Sequence, residues 1–253
     1  MAAQNYVTSL GKLENDESHG EKVNQLIKLK AAGFLIPDSF IVKAEAYLDF
    51  LKANNIEKKI KHLLGTVDLE KAKSVKDTAF YIKRHLEESS IPNQILNEIL
   101  REYKNLGGVL HHAHINVSFS HVSKGIPSHS LKGDASLINI IKEKWLSIYS
   151  PTTPTVNPTL IVQKIVKGKT GTIRTSTKSI NTKFLLSKKE TEYLENLVSK
   201  FKKEFYMPHE IDWAIDGNKT YVLKIKPETH IDSHKTFFPE THFSIIKNSH
   251  HII

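Results

Sequence analysis

The sequence predicts an α+β fold, mostly helical through its first hundred residues and built of antiparallel strands after them. Three observations carry this. Apolar residues recur at helical spacing from Lys22 to Tyr103, and from His114 to Ser120 the pattern turns to strict alternation. Further on, the alternating runs Glu210 to Ile215 and Thr220 to Ile225 flank Asp216, Gly217 and Asn218, which predicts a hairpin.

Taken in order, Val23, Leu26, Ile27 and Leu29 share one helical face, and Gly33 supplies a left-handed stop. Phe34 to Val42 reads as extended through Pro37, and Ala44, Tyr47, Leu48 and Leu51 resume helical spacing. Asp68 is placed to cap a long helix with Val75, Ala79, Phe80 and Leu86 inward. Pro92 opens another, carrying Ile95, Leu96, Ile99, Leu100 and Tyr103 to a stop at Gly107 and Gly108. A helix from about Leu137 to Tyr149 turns Ile141, Trp145 and Ile148 to one side, and the prolines of SPTTPTVNPT mark a loop after it. Leu160 to Val166 and Gly171 to Ser176 read as strands of a hairpin around KGK. Ser187 with Glu190 forms a capping box for a helix bearing Leu194, Leu197, Val198 and Phe201. The chain accordingly divides into a helical part, 1–108, a sheet-rich part, 109–229, and a histidine-bearing tail, 230–253, of little periodicity.

Composition bounds the function. The 253 residues are 39% hydrophobic and 25% charged, which suits one globular unit and excludes disordered and collagen-like classes. No apolar run reaches the ~18 residues of a spanning helix, and the N-terminus shows no leader pattern, so the expected setting is the cytoplasm, away from any membrane. Zero cysteines exclude disulfides, thiolate zinc sites and a cysteine nucleophile. The net charge of +9 invites a nucleic-acid reading, but only Arg84, Arg101 and Arg174 carry the guanidinium fork that base readout favours. The other basic residues are lysines spread along helices without interleaved aromatics, so charge alone supports that reading.

Five segments add a resemblance. GEKVNQLIKLKAAGFLIPDSFIVKAEAYLDFL (20–51), INVSFS (115–120), KGDASLINIIKEKWLSIY (132–149), LIVQKIVKGKTGTIRTS (160–176) and PHEIDWAIDGNKTYVLKIKPET (208–229) stand in one order along the chain. In that order they resemble segments of the nucleotide-binding domain of the phosphoenolpyruvate synthase and pyruvate phosphate dikinase family. The resemblance runs from about residue 18 to 230 and implies an ATP-grasp-like fold, bound ATP, magnesium, and phosphoryl transfer to a histidine on a separate swivelling domain.

The resemblance also assigns residues. Lys22 stands at the lysine of the family's GGK motif, which approaches the nucleotide phosphates; Gly20 matches, and Glu21 replaces the second glycine. Gln163 and Lys164 fall in the VQKM strand beside the adenine region, and Lys226 takes the place of a phosphate-gripping arginine. Glu210 and Asp212, two apart on a strand, project to one face and offer oxygens to magnesium; EIDWA stands where the family has DIEWA. Arg174 is the guanidinium available to the transferring phosphate, because Ser118 replaces the arginine of VRSS. Lys224 replaces a metal-ligating glutamine. Each assignment has a plainer counterpart: a solvated lysine at a helix start for Lys22, a solvated strand face for Glu210 and Asp212, a backbone-satisfied glutamine for Gln163. Trp145 and Trp213 read as core, and His111, His112 and His114 as a surface turn with no acidic companion.

The chain carries neither the swivelling histidine domain nor the pyruvate-binding barrel of the family within its 253 residues, and only Thr177 to Leu186 bridge a stretch that is long in the family. Three functions follow: an ATP-dependent phosphotransferase acting on a separate phosphohistidine and phosphoenolpyruvate-binding chain; a degenerate pseudo-kinase or regulatory module, suggested by Ser118 and Lys224; and a basic nucleic-acid binder.

Overall fold

The computed structural model describes residues 5–14, 19–68, 70–107, 112–120, 130–148 and 158–228. The tail 230–253, His111, Gly108, Tyr149 and most of the proline loop lie outside the described residues. Seven helices are described: α1 (Glu21–Ala31), α2 (Ala44–Ala53), α3 (Ile56–Thr66), α4 (Ala72–Glu88), α5 (Asn93–Gly107), α6 (Asp134–Ser147) and α7 (Lys188–Glu204). The strands are β1 (Val7–Ser9), β2 (Ser39–Val42), β3 (Ile115–Phe119), β4 (Leu160–Lys164), β5 (Lys169–Arg174), β6 (Ile180–Asn181), β7 (His209–Asp216) and β8 (Lys219–Pro227). They form two four-stranded antiparallel sheets, ordered β1-β2-β4-β3 and β6-β5-β7-β8. The α+β expectation holds.

The first sheet packs apolar residues on both faces, and each face contributes to a separate core. Phe40, Val42, Ile115, Val117, Leu160 and Val162 point into a core filled by α2 to α6. At its centre Trp145 lies against Tyr47 and Phe50, with ring centroids 5.5 and 5.4 Å away. The alternate residues Ile41 and Ile161 face the other way, onto α1, α7 and the inner face of the second sheet. There Trp213, Ile211, Ile173 and Ile225 meet Val23, Leu26, Leu197 and Phe201. Both tryptophans are fully buried, as expected of core residues.

Several sequence expectations need correction. The KGK segment is not a hairpin turn: β4 already has β2 and β3 on its two sides, so the chain crosses at Gly168 to the second sheet, where β5 pairs with β6 and β7. Gly168 passes so close to the Ile215 carbonyl that a side chain would collide with it. On α4 the inward residues are Ile82 and Leu86, four apart, while Phe80 is 61% exposed. Leu48 is likewise turned out, at 56% exposed, because Tyr47, Phe50 and Leu51 define the buried face of α2. Asp68 does not cap α4; Lys71 holds that position, paired with the Asp68 carboxylate at 2.9 Å. The capping box at Ser187 and Glu190 and the β7-β8 hairpin with Gly217 at φ 57° are present.

Candidate functional site

The site is assembled at the N-terminus of α1. Gly20, at φ 86° and ψ 158°, turns the chain into the helix in a conformation essentially closed to other residues. The next residue but one, Lys22, is tied to β3 twice. Its amide donates to the Ser120 carbonyl at 2.9 Å, and its Nζ donates to Ser118 Oγ at 2.6 Å. Partial burial, with Lys224 and Lys144 nearby, lowers the Lys22 amine to about 8, and Asp212 opposes the shift. The helix start, β3, α6 and the outer face of the second sheet therefore converge on this ammonium.

That outer face is set by register. Across β5, β7 and β8, Arg174, Glu210 and Lys226 stand in one row, and Thr172, Asp212 and Lys224 in the next. A bulge on β8 lies between Lys224 and Val222, so that Trp213 and Val222 fall together on the core side. Glu210 is held by Arg174 at 3.7 Å and Lys226 at 3.4 Å, and Asp212 has Lys226 at 3.6 Å, too long for a hydrogen bond. Burial raises the Asp212 carboxyl against the pull of Lys226 and Lys224. Beyond this row, Glu228 accepts from the amide and hydroxyl of Ser176; those bonds outweigh burial and lower its carboxyl.

Gln163 lies on the same face of the first sheet as Ile161, opposite Asn116, while Ser118 stands opposite Ile161. Gln163 Nε2 and Asn116 Oδ1 are buried without a hydrogen-bond partner, a polar spot with unused capacity. Lys164 is one residue further on and so falls on the other face, with Leu160 and Val162, away from this group. Arg174 is in the row of Glu210, at the rim. Sequence reasoning missed Lys144, a lysine of α6 only 2% exposed and lowered by burial. Its position beside the core residue Trp145 gave no periodic signal.

The described histidines do not gather into a metal site. His112 stacks on Tyr103 and, against expectation, has an acidic companion in Asp134 at 3.4 Å, while His114 Nδ1 lies 3.1 Å from Ser130 Oγ. Among the described residues no three carboxylate, imidazole or thiol groups converge to hold a metal, and no helix is long and apolar enough to cross a membrane.

Five cations, Lys22, Lys144, Lys224, Lys226 and Arg174, thus gather around Glu210 and Asp212 where the start of α1 meets the polar outer face of the second sheet, an arrangement suited to a polyanion. The family of this α+β chain is shown by its sequence: residues 16–150 match the pyruvate phosphate dikinase AMP/ATP-binding domain, and the chain belongs to that family. The match includes Lys22, Ser118 and Lys144 and ends before β4. Similar curated proteins are the probable phosphoenolpyruvate synthase of Methanocaldococcus jannaschii, 22% identical over 160 residues, and the phosphoenolpyruvate synthase of Pseudomonas aeruginosa, 24% identical over 164. These alignments take in 58% and 57% of this chain but 14% and 20% of the relatives, so the chain corresponds to a fifth or less of their length. Among solved structures it is similar to the D-alanine–D-alanine ligases of Bacillus anthracis (10% identity, TM-score 0.46) and Coxiella burnetii (11%, TM-score 0.43). Those comparisons cover 83% of this chain, and 57% and 47% of the ligases.

Proposed function

We propose that this chain binds ATP where the start of α1 meets the polar face of the second sheet and serves as the nucleotide domain of a phosphoenolpyruvate synthase type phosphotransferase. The phosphoryl acceptor is a histidine on a separate domain or chain, which also carries the phosphoenolpyruvate site. The observation that carries the reading is the convergence of Lys22 and Lys144 from the family-matched part with Lys224, Lys226 and Arg174 from the second sheet. Lys22, Lys226 and Arg174 neutralise the phosphates, and Gln163 with Asn116 offers unpaired polar atoms to the base. Lys164 stands apart and contributes only if the edge of the first sheet is reached. The lack of cysteine and the enzymes among the relatives support a cytoplasmic setting.

Magnesium is the cofactor that this family implies, with Glu210 and Asp212 as its expected holders. The donor set does not fit it. Both carboxylates face ammonium or guanidinium groups at 3.4 to 3.7 Å, and Lys224, which has no lone pair when charged, stands across from Asp212.

Calorimetric titration of the chain with ATP tests the binding, and ATP turnover in the presence of the histidine-bearing chain tests the transfer. Saturable binding weakened about tenfold in Lys22→Ala, with turnover lost in Asp212→Asn, supports the whole reading. A second reading, a nucleotide-binding relic without turnover, is favoured by Ser118, whose hydroxyl holds Lys22 where the family carries a guanidinium. Binding without turnover selects it.

A further inference from the structure

We infer that the polyphosphate held in this cleft is neutralised by the protein's own cations, with Lys224 and Lys226 in the role that a divalent metal would otherwise fill. This rests on the nucleotide reading above and concerns how the site meets the charge of its ligand.

In a site that keeps a metal, carboxylates must present oxygens to it, and octahedral magnesium is intolerant of competing cations at contact distance. Here Glu210 lies between Arg174 and Lys226, and Lys226 also reaches toward Asp212. Lys224 stands directly across the strand pair from Asp212. A metal entering between the carboxylates would meet three cations of the same sheet, with Lys22 opposite. The carboxylates are better placed to orient these lysines than to receive a second cation.

The total charge points the same way. Lys22, Lys224, Lys226 and Arg174 face Glu210, Asp212 and Glu228, which leaves positive charge in excess, and a metal would add to it. A polyphosphate free of metal removes that excess. Each cation is then paired with a phosphate oxygen by a charge-assisted hydrogen bond. The same nucleotide carrying magnesium offers two fewer negative charges and fewer free oxygens to the same cations.

The test is calorimetric titration of the whole chain with ATP, and separately with inorganic tripolyphosphate, each in a chelator and in excess magnesium. The expected result is tighter binding in the chelator, by about tenfold at low salt for ATP. Lys224→Gln is expected to weaken metal-free binding about tenfold and to make magnesium favourable, because an amide oxygen then stands where the ammonium was. Lys226→Gln, nearer the rim, gives a second reading of metal-free affinity should the first variant fold poorly. ATP binding that requires magnesium, or is strengthened tenfold by it in the unmodified chain, overturns the inference while leaving the nucleotide reading intact. Tripolyphosphate binding in the chelator without ATP binding upholds cation-only neutralisation and removes the nucleotide reading. No binding of either ligand under any condition overturns both.

Discussion

The ammonium of Lys22 and the hydroxyl of Ser118 are 2.6 Å apart, joining the start of α1 to the middle of β3. The bond holds the lysine toward the second sheet while leaving its two other protons for a ligand. Lys22→Ala is expected to weaken ATP binding about tenfold, or roughly 1.4 kcal/mol. Ser118→Ala should stay within about twofold, since phosphate oxygens replace the lost acceptor. Calorimetry on both variants checks this, and equal losses in the two would mean that Lys22 acts only through its serine contact.

The affinity should depend on pH through the same amine. Lys22 titrates at about 8 in the free chain, facing Lys224, Lys144 and Asp212. Bound phosphate favours the protonated form, so ATP binding takes up a proton once the pH exceeds about 8. Affinity should hold steady below that value and fall above it, by up to tenfold per pH unit. Without ligand the effect on folding has the opposite sense. The cost of burying this ammonium is full below about 8 and is relieved as pH rises toward the ordinary 10.5, because the unfolded chain there binds more protons. Titrations at about pH 7 and about pH 9 decide it, with Lys22→Met expected to flatten the profile.

Gly20→Ala tests the entry to the site. A side chain at φ 86° and ψ 158° costs about 1 to 3 kcal/mol, which for a chain of this size lowers Tm by roughly 2 to 4 °C per kcal/mol. ATP affinity should fall with it, since Lys22 follows two residues later. A thermal melt unchanged from wild type would show that the turn relaxes without cost.

Trp145→Ala should destabilise the chain by about 3 to 5 kcal/mol, because the indole fills the larger core between Tyr47 and Phe50. Phe80→Ala, on the exposed side of α4, should stay within about 0.5 kcal/mol. Urea denaturation separates the two, and a Phe80 effect of the same size would restore the inward face read from the sequence.

An acid limb of stability should come from Glu190. Its carboxyl is lowered to about 2, first by the 2.7 Å bond from Lys169 and then by the amide and hydroxyl of Ser187. The contribution is present above the ordinary 4.5 and is lost as pH falls toward 2. Lys169→Met should shrink the difference in Tm between about pH 5 and about pH 3; an unchanged difference would assign the acid limb to other groups.

The sequence made legible what is periodic or local. Alternation identified β3, β7 and β8, the turn at Gly217 fixed the hairpin, and the spacing of Ser187 and Glu190 fixed a helix start. Partner choice was hidden: β4 and β5 are both strands, but nothing in LIVQK says that its edges are taken by β2 and β3. Phe80 shows a related limit, because adjacent apolar residues on α4 leave two faces open and only packing selects Ile82. In the site, register determined what spacing could only suggest. The pairing of Glu210 with Lys226 and Asp212 with Lys224 follows from the hairpin and the β8 bulge. Lys144 was invisible because a buried lysine has no periodic signature.

The placement of β2 between β1 and β4 bears on how the chain is made. Phe40 and Val42 leave the ribosome roughly 120 residues before Val162 and Leu160, the partners that complete their sheet. Until then β2 presents an open hydrogen-bonding edge with apolar residues on both faces, a state prone to pairing with other chains. A fragment ending near residue 108 would remain in that state permanently. Aggregation of such a fragment is therefore the outcome expected from the order in which the strands are synthesised.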